Sequence, residues 1–316
     1  MLRKEIKVVK YNPEWPKMFE ENATVIRKAL GDNYISVHHI GSTAVEGLAA
    51  KPKIDIIAEV HDCEKAITQL EVVGYKYKGE WNIPFKYGFT KRDYVEINLH
   101  LYKSEHPEVE LNIKFRDYLR ENQPARDEYQ KLKYNLLAQE DAYLKANNSI
   151  FSGYNLGKDA FIRRIIELSG FDRLRFLYCN HRIEWDKYHR IKVEEIFSQL
   201  HNIVYDYNHP HLKSENHYHF ILCKGAKVVA IGHMEDLSDG KWGLRGLATD
   251  KKHQGNGYGK AILKELEHWC RSRGGRIIYV HSAPDAENFY RKLHYIDMDW
   301  DDQSIDENAV DLGKEI

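Results

Sequence analysis

One short loop constrains the C-terminal half of the chain more than any other feature: Gln254-Gly255-Asn256-Gly257-Tyr258-Gly259, set between a strand-like run and a helix-like run. Glycines at alternate positions let the backbone turn sharply, with its N–H groups pointing inward and no Cβ in the way. The loop opens into a helical pattern over 260–273, so unpaired amides and the positive end of the helix dipole add to the same site. A diphosphate is the ligand such a cradle suits. The GxxxxGK sequence of a Walker A loop is missing, and the dinucleotide fingerprint GxGxxG does not fit the spacing. Taken alone, the loop reads more readily as a plain joint between strand and helix than as a phosphate site.

Length sets the frame around it. A chain of 316 residues exceeds one ordinary domain, and two of roughly 150 residues are expected. Gly170 closes a helical run and a strand-like pattern restarts at Phe171, which divides the chain into 1–170 and 171–316. In the first half, Pro13 and Pro16 set the first turn of a helix carrying Trp15, Phe19, Ala23, Ile26 and Leu30 up to Gly31. Strands are predicted over 34–40, 54–60 and 94–102, and helices over 63–73, 124–146 and 158–169. The second half reads as strand 171–178, helix 185–200, strands 217–223, 227–234 and 242–249, the loop, helix 260–273, strand 276–281 and a short helix 285–293. The expected fold class is α+β, an α/β domain followed by a mixed sheet flanked by helices.

With its neighbours included, the loop resembles the Q/RxxGxG/A acetyl-CoA motif of the GNAT N-acetyltransferase superfamily. Leu244-Arg245-Gly246-Leu247-Ala248-Thr249-Asp250 before it and Ala286-Glu287-Asn288-Phe289-Tyr290-Arg291-Lys292-Leu293 after it resemble the same family, and Asp311-Leu312-Gly313-Lys314 looks like a closing segment found in some members. The resemblance implies acetyl-CoA as cofactor and an amine, small-molecule or peptide, as acceptor. It places cofactor contacts at Leu247, Ala248 and Thr249, along Gln254, Gly255, Asn256, Gly257, Tyr258, Gly259 and Lys260, and at Asn288. The amides of Leu247 and Thr249 would polarise the thioester carbonyl, and Tyr290 would protonate the departing thiolate. Some members carry a glutamate base on the central strand; the matching position here is Gly243, which leaves Glu235 and His281 as alternatives. A non-catalytic CoA or acetyl-CoA sensor is the rival reading.

In the first half, His39-Ile40-Gly41-Ser42-Thr43 and Lys51-Pro52-Lys53-Ile54-Asp55 resemble a nucleotidyltransferase fold. The fuller match is to the GrpB-like family, through Tyr11-Asn12-Pro13-Glu14-Trp15, His39 to Thr43, Gly47-Leu48-Ala49-Ala50-Lys51-Pro52, Asp55, Asn98-Leu99-His100 and Phe115-Arg116-Asp117-Tyr118-Leu119-Arg120. The resemblance implies a nucleotide site at His39, Gly41, Ser42, Lys51, Lys53, Asp55, Glu96 and His100, with a nucleoside triphosphate and Mg2+ on Asp55. Where a second carboxylate would stand on the Asp55 strand there is Ile57, so Glu96 is the alternative ligand.

Composition narrows the partners. Hydrophobic residues make up 42% and charged residues 30% of the chain, ordinary for a globular protein. With 47 basic against 48 acidic side chains there is no field to attract polyanions, and no nucleic-acid partner is expected. Four scattered cysteines form no CxxC pair and suit a reducing cytoplasm. No export or membrane-inserting segment is predicted. His217 and His219 would share one face of a strand, but without a carboxylate or cysteine at ligand spacing they are expected at the surface or against substrate rather than on a metal.

Overall fold

The structure is a computed structural model that describes residues 7–80, 82–144, 151–200 and 203–316. It divides into two compact units, Met1–Arg175 and Phe176–Ile316.

In the first unit, proline in the first turn starts α1 (Trp15–Leu30) and Gly31 ends it. There follow β1 (Tyr34–Ile40), β2 (Lys53–Val60), α2 (Cys63–Glu71), β3 (Lys76–Glu80), β4 (Tyr87–Arg92), β5 (Glu96–Lys103), α3 (Pro107–Glu121), α4 (Gln123–Leu137), α5 (Gly153–Leu156) and α6 (Asp159–Leu168). The sheet order is β1-β2-β5-β4-β3, with β2 and β5 parallel and the other pairs antiparallel. Strand alternation separates two faces. Ile54, Ile56, Ala58 and Val60 with Ile97, Leu99 and Leu101 form one core with Trp15, Phe19, Ile26 and Leu30 of α1. The opposite face carries Lys53 beside Glu96, Asp55 beside Asn98 and Ile57 beside His100.

The sequence reading holds no strand at β3 or β4, two short segments interrupted by Gly79 and Gly88, and no helix at α3. The helix expected over 124–146 stops at Leu137, where the polar run Gln139-Glu140-Asp141 begins; Lys145 and Ala146 lie outside the described residues.

The second unit contains β6 (Leu174–Tyr178), α7 (Arg182–Glu195), β7 (His217–Lys224), β8 (Lys227–Asp236), β9 (Lys241–Thr249), α8 (Tyr258–Arg271), β10 (Ile277–Ser282), α9 (Glu287–Arg291), β11 (Ile296–Asp297) and β12 (Val310–Glu315). Its strands run β11-β12-β10-β9-β8-β7-β6 in a mixed sheet in which β9 and β10 are parallel. The expected mixed sheet flanked by helices is therefore present. On one face α8 buries Ile262, Leu263, Leu266 and Trp269. The Trp269 ring meets Tyr218 at 4.8 Å, Phe220 at 4.8 Å and Trp242 at 5.1 Å, and truncating such a residue costs about 3–5 kcal/mol. On the other face α7 brings Tyr188 and Lys192 against His219 and His233. Among the described residues no helix is long and apolar enough to cross a membrane.

Candidate functional site

Strand β9 organises the second unit's site because its two neighbours leave it at different points. Pairing with β10 runs through Ile277↔Lys241, Ile278↔Trp242 and Tyr279↔Gly243, whereas β8 stays paired with β9 as far as Thr249. A bulge at Arg245, with His233 opposite Gly246 and Met234 opposite Leu244, bends the strand at the point of parting. Beyond Gly243, one edge of β9 is open. The Asp250 amide donates to Val229 O on β8 at 3.0 Å. Ladder alternation then turns the Ala248 amide toward β8 and the Leu247 and Thr249 amides toward the open edge. Of the three adjacent residues expected to contact cofactor, Ala248 thus has its N–H committed to the sheet.

The glycine loop follows a turn anchored by Asp250, whose buried carboxylate accepts from the Lys252 amide at 3.1 Å and pairs with Arg190 of α7. Gly255 and Gly257 have φ of 79° and 78°, a left-handed backbone that favours glycine, and a Cβ at either would meet nothing within 4 Å. Ala261 N–H reaches back to Gly257 O at 3.0 Å, so the amides of Tyr258, Gly259 and Lys260 have no acceptor within α8. Gly259 provides room: a Cβ there would lie 3.3 Å from Thr249 Oγ1 and 3.6 Å from Phe289 Cε2. Gln254 and Asn256 are braces. Gln254 Nε2 donates to Glu195 Oε2 at 2.9 Å and to Thr249 O at 3.2 Å, and Asn256 Nδ2 donates to the carbonyls of His253 and Gln254 at 3.1 Å. Lys260 and Asn288 are exposed.

Phe289 brings α9 against this cradle. Tyr290 beside it is buried, with its ring 5.1 Å from Phe289 and 5.4 Å from Tyr295. Burial pushes its phenol upward, so the proton is retained. Among the described residues its hydroxyl has no hydrogen-bond partner.

At Gly243 the structure explains the absent glutamate, since a Cβ there would sit 3.0 Å from Trp300 Cζ2 and 3.4 Å from Arg245 Nε. Glu235 is the cross-strand partner of Gly243 and accepts from Arg245 Nε at 2.5 Å and from Asn216 Nδ2 at 3.3 Å, with His217 Nε2 at 3.5 Å. His281 has both ring nitrogens taken, Nδ1 by Asp311 at 2.7 Å and Nε2 by Asp302 at 3.0 Å, while its ring stacks on Trp300 at 4.1 Å. Of the two alternatives for a base, His281 has no free lone pair in this arrangement.

In the first unit, Gly41 has φ of 73°, and a Cβ on it would lie 2.8 Å from Asp55 Oδ2, so the loop and the aspartate touch because residue 41 is glycine. Asp55 accepts from Asn98 Nδ2 at 2.9 Å, and burial raises its pKa. Glu96 pairs with Lys53 at 3.0 Å rather than joining Asp55. Among the described residues no three His, Cys, Asp or Glu side chains come together as a metal site. His39 faces the other way: it pairs in register with Ile56, stacks on Phe19 of α1 at 4.8 Å and hydrogen-bonds Thr43 Oγ1 at 3.0 Å, and burial together with Arg120 and Arg116 lowers it to about 4. His100 lies on the Asp55 face, lowered to about 3 by burial and by Lys86 and Lys53. Two lysines absent from the sequence reading do arrive here. Lys133 of α4 donates to Ser42 Oγ at 3.2 Å and to Ala49 O, and Lys158, just before α6, lies over the Tyr154 ring at 4.6 Å.

The comparisons with known proteins divide the chain along the same lines. The family model described as GrpB protein matches residues 5–168, and the acetyltransferase (GNAT) family matches 180–295. The chain belongs to the GrpB family and carries a GNAT acetyltransferase domain. A UPF0157 protein of Halalkalibacterium halodurans is 38% identical over 152 residues, which is 46% of this chain and 78% of that protein. The UPF0157 protein YqkA of Bacillus subtilis is 33% identical over 51% of this chain but only 46% of its own length. The crystal structure of the conserved protein GrpB from Enterococcus faecalis matches at 32% identity over 52% of this chain and 96% of that chain, with a TM-score of 0.44.

The GNAT domain also holds a buried polar chain that includes His217 and His219, expected at the surface or against substrate. His217, His219 and His233 are 8%, 7% and 4% exposed. Lys192 Nζ meets His233 Nδ1 at 3.1 Å, His233 Nε2 meets His217 Nδ1 at 2.9 Å, and His219 Nδ1 meets the Tyr188 hydroxyl at 2.9 Å. Burial lowers Lys192 to about 8 and His219 to about 3. The period-2 spacing of His217 and His219 was the available signal; the covering helix α7 was not readable from it. A recess of about 390 Å³ bounded by Asp239, Gly240, Lys241, Arg276, Ile277, Glu315 and Ile316 lies at the paired end of β9 and β10, away from this site.

Proposed function

We propose that the GNAT domain transfers acetyl from acetyl-CoA to an amine by direct attack with both substrates bound. The observation that carries the reading is the parting of β9 from β10 at Gly243, which opens an edge with two unpartnered amides leading into a glycine cradle at the start of α8. Acetyl-CoA would supply an activated thioester. The Gly255, Gly257 and Gly259 amides suit its diphosphate, and the Leu247 and Thr249 amides suit the carbonyl oxygen as negative charge develops on it. As the C–N bond forms and the C–S bond breaks, Tyr290 supplies a proton to the thiolate. The amine's proton passes to Glu235, whose Oε1 keeps only the longer contacts to Asn216 and His217. Cys223 and Cys270 are buried, and burial raises the Cys270 thiol, so no cysteine stands ready to carry the acetyl group.

Coenzyme A release from acetyl-CoA, followed across a panel of amines for the wild type and Tyr290→Phe, tests the reading. Turnover on some amine, with kcat reduced about 100-fold in the variant, is expected. The sensor reading draws on one observation, the filling of the base position beside Gly243 by Trp300; tight CoA binding with no turnover on any amine would establish it instead.

A further inference from the structure

Around Gly41 and Asp55 the GrpB domain gathers more buried positive charge than its own side chains neutralise. Lys51 and Lys158 lie over the same Tyr154 ring at 4.5 Å and 4.6 Å, and Lys133 is held at Ser42. Lys133 is 2% exposed, whereas Gly41, Ser42, Lys51, Asp55 and Lys158 are half-buried, so solvent reaches the cluster from one side. Lys53, the fourth cation, is matched by Glu96. None of the other three makes an ion pair with a described residue within 4 Å, and Asp55 is the one carboxylate among them. Burial is the first cause lowering each, Lys133 to about 7 and Lys158 to about 8, and the repulsion acts from Lys158 on Lys133 and from Lys51 on Lys158.

A buried ammonium without a counter-charge is costly, and a bound anion with several oxygens removes that cost for three at once. Each lysine keeps spare N–H donors: Lys133 uses two, on Ser42 and Ala49 O, and Lys158 one, on Asn155 Oδ1 at 3.4 Å. A carboxylate ligand offers two oxygens and one charge; a phosphate offers more of both.

The geometry points to a metal-independent binding site for a phosphate-bearing anion in the GrpB domain, formed by Lys51, Lys133 and Lys158 beside the Gly41-Ser42 turn. Lys51, Lys53 and Lys158 all act electrostatically on Asp55, the one carboxylate that could have held a divalent ion, and their charges oppose a cation there. Asp55, held by Asn98, is one negative charge against the three, and the net charge stays positive.

Calorimetric titration of the full chain with inorganic phosphate, pyrophosphate and ATP, each in EDTA, tests this. Pyrophosphate or ATP is expected to bind in EDTA, with affinity about tenfold weaker in Lys51→Gln and in Lys158→Gln, the loss of one charge-assisted hydrogen bond. Lys158→Arg, which keeps the charge, should retain most of the affinity and separates lost charge from lost folding. Gly259→Val, which crowds the acetyl-donor cradle, should leave this binding unchanged. Tighter binding of ATP than of pyrophosphate would assign the ligand to nucleotides, and equal binding to inorganic polyphosphates. No binding of any of the three, binding that appears only with Mg2+, or binding that survives both lysine-to-glutamine changes and disappears in Gly259→Val would each overturn the proposal.

Discussion

Lowering the pH from 7 to 5 should destabilise the GNAT domain through its buried histidines. His219 is 7% exposed, donates through Nε2 to His211 O at 3.1 Å and accepts through Nδ1 from the Tyr188 hydroxyl at 2.9 Å, a pattern a neutral ring satisfies. Burial and the nearby Lys192 lower it from an ordinary 6.5 to about 3. The unfolded chain therefore takes up a proton below 6.5 that the folded chain refuses until about 3. Stability present above 6.5 is lost progressively across that window. At pH 5 the His219 contribution is about 2 kcal/mol, from 1.36 kcal/mol per unit over roughly 1.5 units. His217, lowered to about 4, and His233, driven well below its ordinary value by burial and Lys192, act in the same direction. Protonating His233 at Nδ1 would set a second cation against the Lys192 ammonium 3.1 Å away. Urea unfolding followed by tryptophan fluorescence at pH 7, 6 and 5 measures the effect, with His219→Gln as control. The wild type should lose at least 2 kcal/mol, against a total of about 5–15 kcal/mol for a typical protein, and the variant should lose less. A wild-type stability flat to within 0.5 kcal/mol, or an unchanged slope in His219→Gln, would refute the reasoning; the 0.5 is about the scatter of a surface substitution.

Other perturbations follow from contacts already described. Gly259→Val places a branched side chain against Thr249 and Phe289 and should weaken CoA binding by about tenfold or more in calorimetry, with little change in melting temperature. Arg190→Leu leaves Asp250 as an unpaired buried carboxylate at the base of the glycine loop; a loss of about 3 kcal/mol in chemical denaturation is expected, and an unchanged midpoint would remove that pair from the account. Gly243→Glu restores a carboxylate at the family position but drives its Cβ toward Trp300, so it should cost about 1–3 kcal/mol and leave turnover unraised.

The sequence alone carried the features that depend on neighbours along the chain. The α1 stripe ends where Gly31 ends it, and the glycine spacing at 255–259 marked the left-handed turn before α8, because positive φ and missing Cβ atoms are properties of the residues themselves. What depends on register and on distant elements stayed hidden. Which amides of β9 face the open edge is set by where β10 leaves the sheet, and His39 is separated from Asp55 because the pleat sends adjacent strand positions to opposite faces. Trp300 fills the place at Gly243 from 57 residues further along the chain. Lys133 and Lys158 join Ser42 and Lys51 only through helix packing in the GrpB domain, and α7 turns two apparent surface histidines into a buried chain. Local backbone chemistry is written in the order of residues, but charge balance and proton affinity are properties of a three-dimensional surrounding, and only the tertiary structure supplies it.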